Sequence, residues 1–262
     1  MTEVKNNKAF DKAFDFLLYS YFGIKESDLN DQSKKDIPYI CAKCAKRAYL
    51  DLARTVKYSY SSSELEEMKS KKSSEEDKDK ATNFIDSKNE LIENICKNIL
   101  SPIETKEGEI SFKSSDFDKW HKAKCEEIIN FMNNSIDKSN TKILKKEKFT
   151  IGQAQKWVNM TLKYLWLLNA LPTGVKPEYL HVPIDSYIIE IAYDNKNKFE
   201  NALGLLEEKP KKSWSMLSDY EKYFEIQEAI REAIKTNTTN ETIPIKWESL
   251  AWIEVAEKQA NK

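Results

Sequence analysis

The chain has 262 residues, with 42 Lys plus Arg against 43 Asp plus Glu and a formal net charge of −1. That near-neutrality gives the whole chain no electrostatic case for nucleic acid or a membrane, although it leaves room for a local basic face. Five Gly and seven Pro, among 40% hydrophobic and 32% charged residues, argue against a turn-rich all-β architecture. The expected class is all-α with at most one short β-hairpin.

Residues 8–22 carry Phe10, Phe14, Leu17, Leu18 and Tyr21 at spacings of three and four, an amphipathic helix that Gly23 would stop. A second helix is expected from Pro38 to Tyr58, with proline in its permitted first turn. Residues 61–80 then hold twelve charged side chains, six serines and, as apolar groups, Leu65 and Met68. Such a segment buries too little to offset its ordering entropy, so the stretch near 59–82 is expected as a mobile surface insertion. Helical spacing resumes from Phe84 to Leu100. A short hairpin is expected over 103–113, around Glu107-Gly108. Another helix should run over 116–134, capped by Ser115 or Asp116, with Phe117, Trp120, Ile128, Phe131 and Met132 facing inward. The segments 153–168, 186–193, 215–235 and 247–258 supply the remaining helices.

No stretch approaches the roughly 18 apolar residues that cross a bilayer, and the start lacks the apolar core of a secretory signal. A cytoplasmic, monomeric protein without a membrane partner is expected. Cys41, Cys44, Cys96 and Cys125 are then reduced thiols packed in the core, since Cys41-x-x-Cys44 has no second pair to complete a zinc site. No phosphate-binding glycine loop, dinucleotide fingerprint or serine nucleophile elbow occurs, and no His/Cys/Asp set has metal-ligand spacing. No cofactor or metal is expected.

The informative stretch is 149–193, FTIGQAQKWVNMTLKYLWLLNALPTGVKPEYLHVPIDSYIIEIAY. Gly152 precedes a strong helix, where unpaired amides and the helix dipole attract a phosphate; taken alone, an ordinary helix start accounts for it. From Lys138 to Lys163 there are seven Lys (138, 142, 145, 146, 148, 156 and 163) and one acid, Glu147, a local +7 − 1 = +6. That balance suits a phosphodiester backbone, or a solvated lysine-rich loop. Lys156, Asn159 and Lys163 form a polar stripe on the side expected to look outward, opposite Ala154, Trp157, Val158, Leu162, Leu165 and Trp166. Asp185, in Val182-Pro-Ile-Asp185, stands at the start of the next helix, where a plain N-cap role accounts for it. A lysine beside a carboxylate is also a nucleophile beside a group that stabilises positive charge on a sugar.

The run Gly152-Gln-Ala-Gln-Lys156, an apolar helix, then Val182-Pro-Ile-Asp185 and another helix resembles the helix-hairpin-helix DNA glycosylases of the 8-oxoguanine glycosylase type. Ala154 stands where that family has its second hairpin glycine. The resemblance implies two helical lobes and a protein that flips a modified base out of double-stranded DNA, in repair or phage defence. Lys156 would be the Schiff-base nucleophile and Asp185 the carboxylate that assists glycosidic cleavage. Gly152 and the amides of Gln153 and Ala154 would hold a DNA phosphate, with Gln155, Asn159, Lys163, Lys145, Lys146 and Lys148 as further DNA contacts. Trp120, Trp214, Trp247 and Trp252 are candidates to stack on the base. His181, four residues before Asp185, is a further candidate, whereas His121 is expected at a helix surface or interface. The domain division that follows is a helical lobe over 1–140, the hairpin and catalytic segment over 141–193, and C-terminal helices over 194–262. The rival reading is a non-catalytic helical module that binds DNA or protein.

Overall fold

Hydrophobic residues at three- and four-residue spacing form helices throughout the computed structural model, which describes residues 8–30, 37–99, 113–145, 148–195, 198–206, 208–236 and 242–260. In chain order they are α1 (Lys8–Phe22), α2 (Glu26–Asn30), α3 (Ile37–Leu52), α4 (Ser62–Met68), α5 (Glu75–Asn98), α6 (Ser114–Asn134), α7 (Ile151–Leu167), α8 (Ser186–Ala192), α9 (Tyr220–Thr236) and α10 (Pro244–Ala260). Among the described residues, β pairing is limited to two isolated bridges, Tyr58 with Leu144 and Ile136 with Lys142. The fold is all-α. The hairpin expected over 103–113 lies outside the described residues, except for Lys113.

α1 forms, but most of its apolar face stays uncovered. Leu18 is buried, whereas Phe14, Leu17 and Tyr21 are 41%, 62% and 45% exposed. The charged stretch expected as a mobile insertion contains α4 and the start of α5 instead. Ser61 and Glu64 exchange bonds in a capping box, and the Ser74 hydroxyl accepts the Asp77 amide. The few apolar side chains are placed where they count: Leu65, Ala81, Phe84 and Ile143 form a small separate core. α6 begins two residues earlier than expected, and the Asp116 carboxylate reaches back to the Lys113 amide at 3.3 Å. Phe131, expected inward, is 53% exposed.

α7 is the centre of the molecule. It packs on α3, α6, α9 and the turn Trp214–Met216, and the Trp157 indole donates to the Ala45 carbonyl at 2.9 Å. Thr150 caps its start. Its end is a Schellman motif: Ala170 N–H donates to Leu165 O at 2.8 Å and Asn169 N–H to Trp166 O at 3.0 Å. Asn169 takes the left-handed position, with φ 52°. The expected helix over 215–235 divides into a 3-10 turn, Trp214–Met216, and α9. All four cysteines are buried, and none is in a disulfide. Among the described residues, no helix is long and apolar enough to cross a membrane.

Candidate functional site

The site is built around α7, and its start differs from the sequence expectation. Gly152 lies inside the first turn rather than before the helix. Its N–H donates to the Leu217 carbonyl at 2.8 Å, and a Cβ built on it would lie 1.9 Å from the Trp214 carbonyl oxygen. Here glycine is required by close backbone approach. The Gln153 amide donates to the Thr150 hydroxyl at 3.2 Å and the Ala154 amide to the Thr150 carbonyl at 3.0 Å. The three amides expected to hold a phosphate are thus engaged within the chain. The connection from α6 to α7 runs over 135–150 and carries two β bridges rather than a tight turn at Gly152.

The polar stripe of α7 faces inward, correcting the expectation of an outward side. Lys156 Nζ donates to Asp185 Oδ2 at 2.7 Å, and the two side chains are 6% and 14% exposed. The sequence places them 29 residues apart. Asp185 Oδ1 accepts the Tyr187 and Ile188 amides, both at 3.0 Å, so one carboxylate caps α8 and pairs with the lysine. Two turns along α7, Lys163 pairs with Glu248 of α10, a residue the sequence did not single out. Glu248 is 1% exposed. Burial pushes its carboxyl above the usual carboxylate range, and Lys163 and Lys156 only partly oppose that. Two lysines and two carboxylates thereby join α7, α8 and α10 in one buried cluster.

Gln155 and Asn159, expected to touch DNA, are buried in a second network. Gln155 donates to the Gly152 and Ile184 carbonyls at 2.9 and 2.8 Å and accepts the Ile184 amide at 3.1 Å. From α9, Gln227 brackets Val182 in the same manner, at 2.9 and 2.7 Å. The segment before Asp185 is pinned from two helices. The Asn159 amide donates to Gln155 Oε1 at 3.0 Å and to the Tyr223 hydroxyl at 2.8 Å, while its oxygen accepts from His121 Nε2 at 2.9 Å. The Tyr223 hydroxyl then donates to His181 Nδ1 at 2.8 Å, and His181 Nε2 donates to Asp118 at 2.7 Å. His121 Nδ1 accepts from Tyr220 at 2.8 Å. This direction of donors makes both histidines neutral, each with its proton on Nε2. Burial is the main cause: it lowers His181 to about 4 and His121 well below its ordinary value. Burial alone would raise the Asp118 carboxyl, but bonds from His181 and Arg231 outweigh it and hold it low. His121, expected at a helix surface or interface, is fully buried, and the rings of His121 and His181 lie 4.3 Å apart.

Open space lies elsewhere. A groove of about 850 Å³ runs beside the start of α7 between the end of α6 and the bridged segment. Lys142, Lys145 and Lys148 line it with Asn130, Asn134 and Ser59. No carboxylate is among the described residues that line it, and Lys156 and Asp185 do not line it either. Lys146 lies outside the described residues. Trp120 and Trp247 are core side chains, Trp214 is 9% exposed where it borders a separate cavity, and Trp252 is 40% exposed beside Tyr187. Among the described residues, no group of three or more His, Cys, Asp or Glu side chains is arranged to hold a metal ion. Sequence reasoning missed Asp118, Tyr223, Gln227 and Glu248; each becomes visible only once distant helices are docked. Compared with known proteins, the chain matches no family model, no curated protein and no solved structure.

Proposed function

We propose that this protein binds the phosphodiester backbone of double-stranded DNA in the groove beside the start of α7. One observation carries this reading: three exposed lysines converge on an open groove that no carboxylate lines among the described residues, in a chain whose total charge is −1. Each lysine that neutralises a phosphate releases condensed counterions, so affinity falls steeply with salt. The neighbouring asparagine and serine side chains offer hydrogen bonds to phosphate and sugar oxygens, which fix position without reading sequence. Anisotropy titration of a labelled duplex over a salt series tests it. Replacing Lys142, Lys145 and Lys148 by alanine should lower the salt slope by roughly 2–3, near 0.9 for each lost contact. Unchanged binding by the triple variant, or no binding at low salt, rejects the reading.

A second reading, base excision on that DNA, is favoured by the contact between Lys156 Nζ and Asp185 Oδ2 at 2.7 Å. The Lys156 ammonium would give up one proton to the departing base as the glycosidic C1′–N bond breaks, the free amine would then bond to C1′, and the Asp185 carboxylate would stabilise the positive charge that develops there. The pair is nearly closed to solvent, so this chemistry requires the ion pair to separate and a path to open. Borohydride treatment with a panel of modified-base duplexes tests it. A trapped adduct that disappears in Lys156→Ala supports excision; no adduct across the panel leaves the pair a structural one.

A further inference from the structure

A second cavity, about 590 Å³, meets the basic groove at Ser218, which lines both. Its composition differs. Ile184, Ile189, Tyr193, Trp214 and Ile226 supply an apolar and aromatic wall, and Lys209, Lys212 and Lys222 stand among the lining residues with no carboxylate in ion-pair contact among the described residues. The lining also contains three acids. Glu208 is paired with Lys211 at 2.6 Å, and the Asp219 carboxylate accepts the Glu221 amide at 2.9 Å as it caps α9, which leaves Glu225. Concave sites that combine an apolar wall with a few charged groups select ligands having one flat apolar end and one charged end. Lysines act on phosphate as point charges, and Trp and Tyr faces stack on a heterocycle.

We propose that this cavity takes one nucleotide unit, its heterocycle against Trp214 and Tyr193 and its phosphate against Lys209, Lys212 and Lys222. The unit is either a free nucleotide or one residue of a single strand. The inference does not depend on duplex binding in the neighbouring groove.

Calorimetric titration of the full chain with AMP, adenosine, inorganic phosphate and a hexameric oligodeoxyadenylate tests it. AMP should bind more tightly than adenosine or phosphate alone. The double variant Lys212→Glu/Lys222→Glu, at two exposed positions, should weaken AMP by about tenfold or more, near 1.4 kcal/mol. Lys145→Ala should leave AMP binding unchanged, which separates this cavity from the groove. Binding of the hexamer but not AMP, lost in the double variant, assigns the unit to a strand. Phosphate binding as tightly as AMP overturns the heterocycle contact, and adenosine binding as tightly overturns the lysine contact. No binding of AMP or hexamer, or binding indifferent to Lys212 and Lys222, overturns the whole inference.

Discussion

Lys145 and Lys156 belong to one basic run, yet the fold treats its two halves in opposite ways. Lys142, Lys145 and Lys148 stay exposed and line an open groove. Lys156 and Lys163 are drawn under α8 and α10, each against its own carboxylate. A lysine in water keeps its hydration and remains available to a phosphate. A lysine taken out of water is costly unless an anion replaces that hydration, and the anion then occupies it. Charge counted along a sequence therefore overstates what a partner can reach.

The buried half should be the more sensitive to substitution. Glu248→Ala leaves Lys163 without its partner in a site where Glu248 was 1% exposed. Loss of one member of a buried pair costs about 3–5 kcal/mol. Urea denaturation should show that loss, and replacing both partners, Lys163→Met with Glu248→Leu, should recover much of it. A loss under ~1 kcal/mol from Glu248→Ala would mean that water reaches the pair and that the two halves of the run are less different than their burial indicates.

Next in size is Gly152→Ala. A Cβ at 1.9 Å from the Trp214 carbonyl cannot be accommodated without moving the 214–217 turn, and the bond from Gly152 N–H to Leu217 would be lost with it. Helix propensity favours alanine by about 1 kcal/mol, but overpacking against backbone costs about 3 kcal/mol or more. The melting temperature should fall. A neutral or stabilising result would show that the turn moves freely and that the α7 amides are available after all.

Much of the helical framework was legible from spacing and caps. Ile95, Phe117, Trp157, Ile188 and Ile230 are buried where three- and four-residue spacing places them. The charged stretch 61–80 misled because two capped helix starts and one anchoring leucine sufficed to order it. The meeting of Lys156 with Asp185 followed from a motif, but the inward turn of the polar stripe did not. A helix surrounded by α3, α6, α8, α9 and α10 buries every face from Ile151 to Leu162, and periodicity cannot distinguish a polar face in water from one paired inside. Asp118, Tyr223 and Glu248 carried no local signal, because their partners lie 63, 42 and 85 residues away.

The histidine network gives a comparison that pH can break. His181 has an ordinary value of 6.5 and is lowered to about 4 in the fold. Between those values the unfolded chain binds a proton that the native state refuses. Stability from this group is therefore complete above pH 6.5 and is lost as pH falls toward 4, by up to about 3 kcal/mol. His121 adds a loss of the same sign. The groups facing His181 are Asp118, Tyr223 and the ring of His121, with Arg231 behind Asp118. The Asp118 contribution is lost lower, below its ordinary 3.8. Thermal melts from pH 7 to 4.5 should show the decline, and His181→Gln should flatten it. A flat wild-type curve would mean that the network admits water.

The smallest effect on folding should come from the exposed half, and there it separates stability from binding. Lys145 extends from a segment held by its backbone, whose N–H donates to the Lys57 carbonyl at 3.0 Å, so truncating the side chain leaves that bond in place. Its field reaches the Glu64 carboxylate, but Glu64 is held low mainly by the Ser61 hydroxyl and amide, and both charges are in water. Lys145→Ala should change stability by less than ~0.5 kcal/mol, as surface substitutions do. The same change should lower the salt slope of duplex binding by about 0.9, one phosphate contact. Loss of stability without loss of slope would place Lys145 with the buried lysines as a structural charge, and the distinction between the two halves of the basic run would have to be redrawn at Lys148.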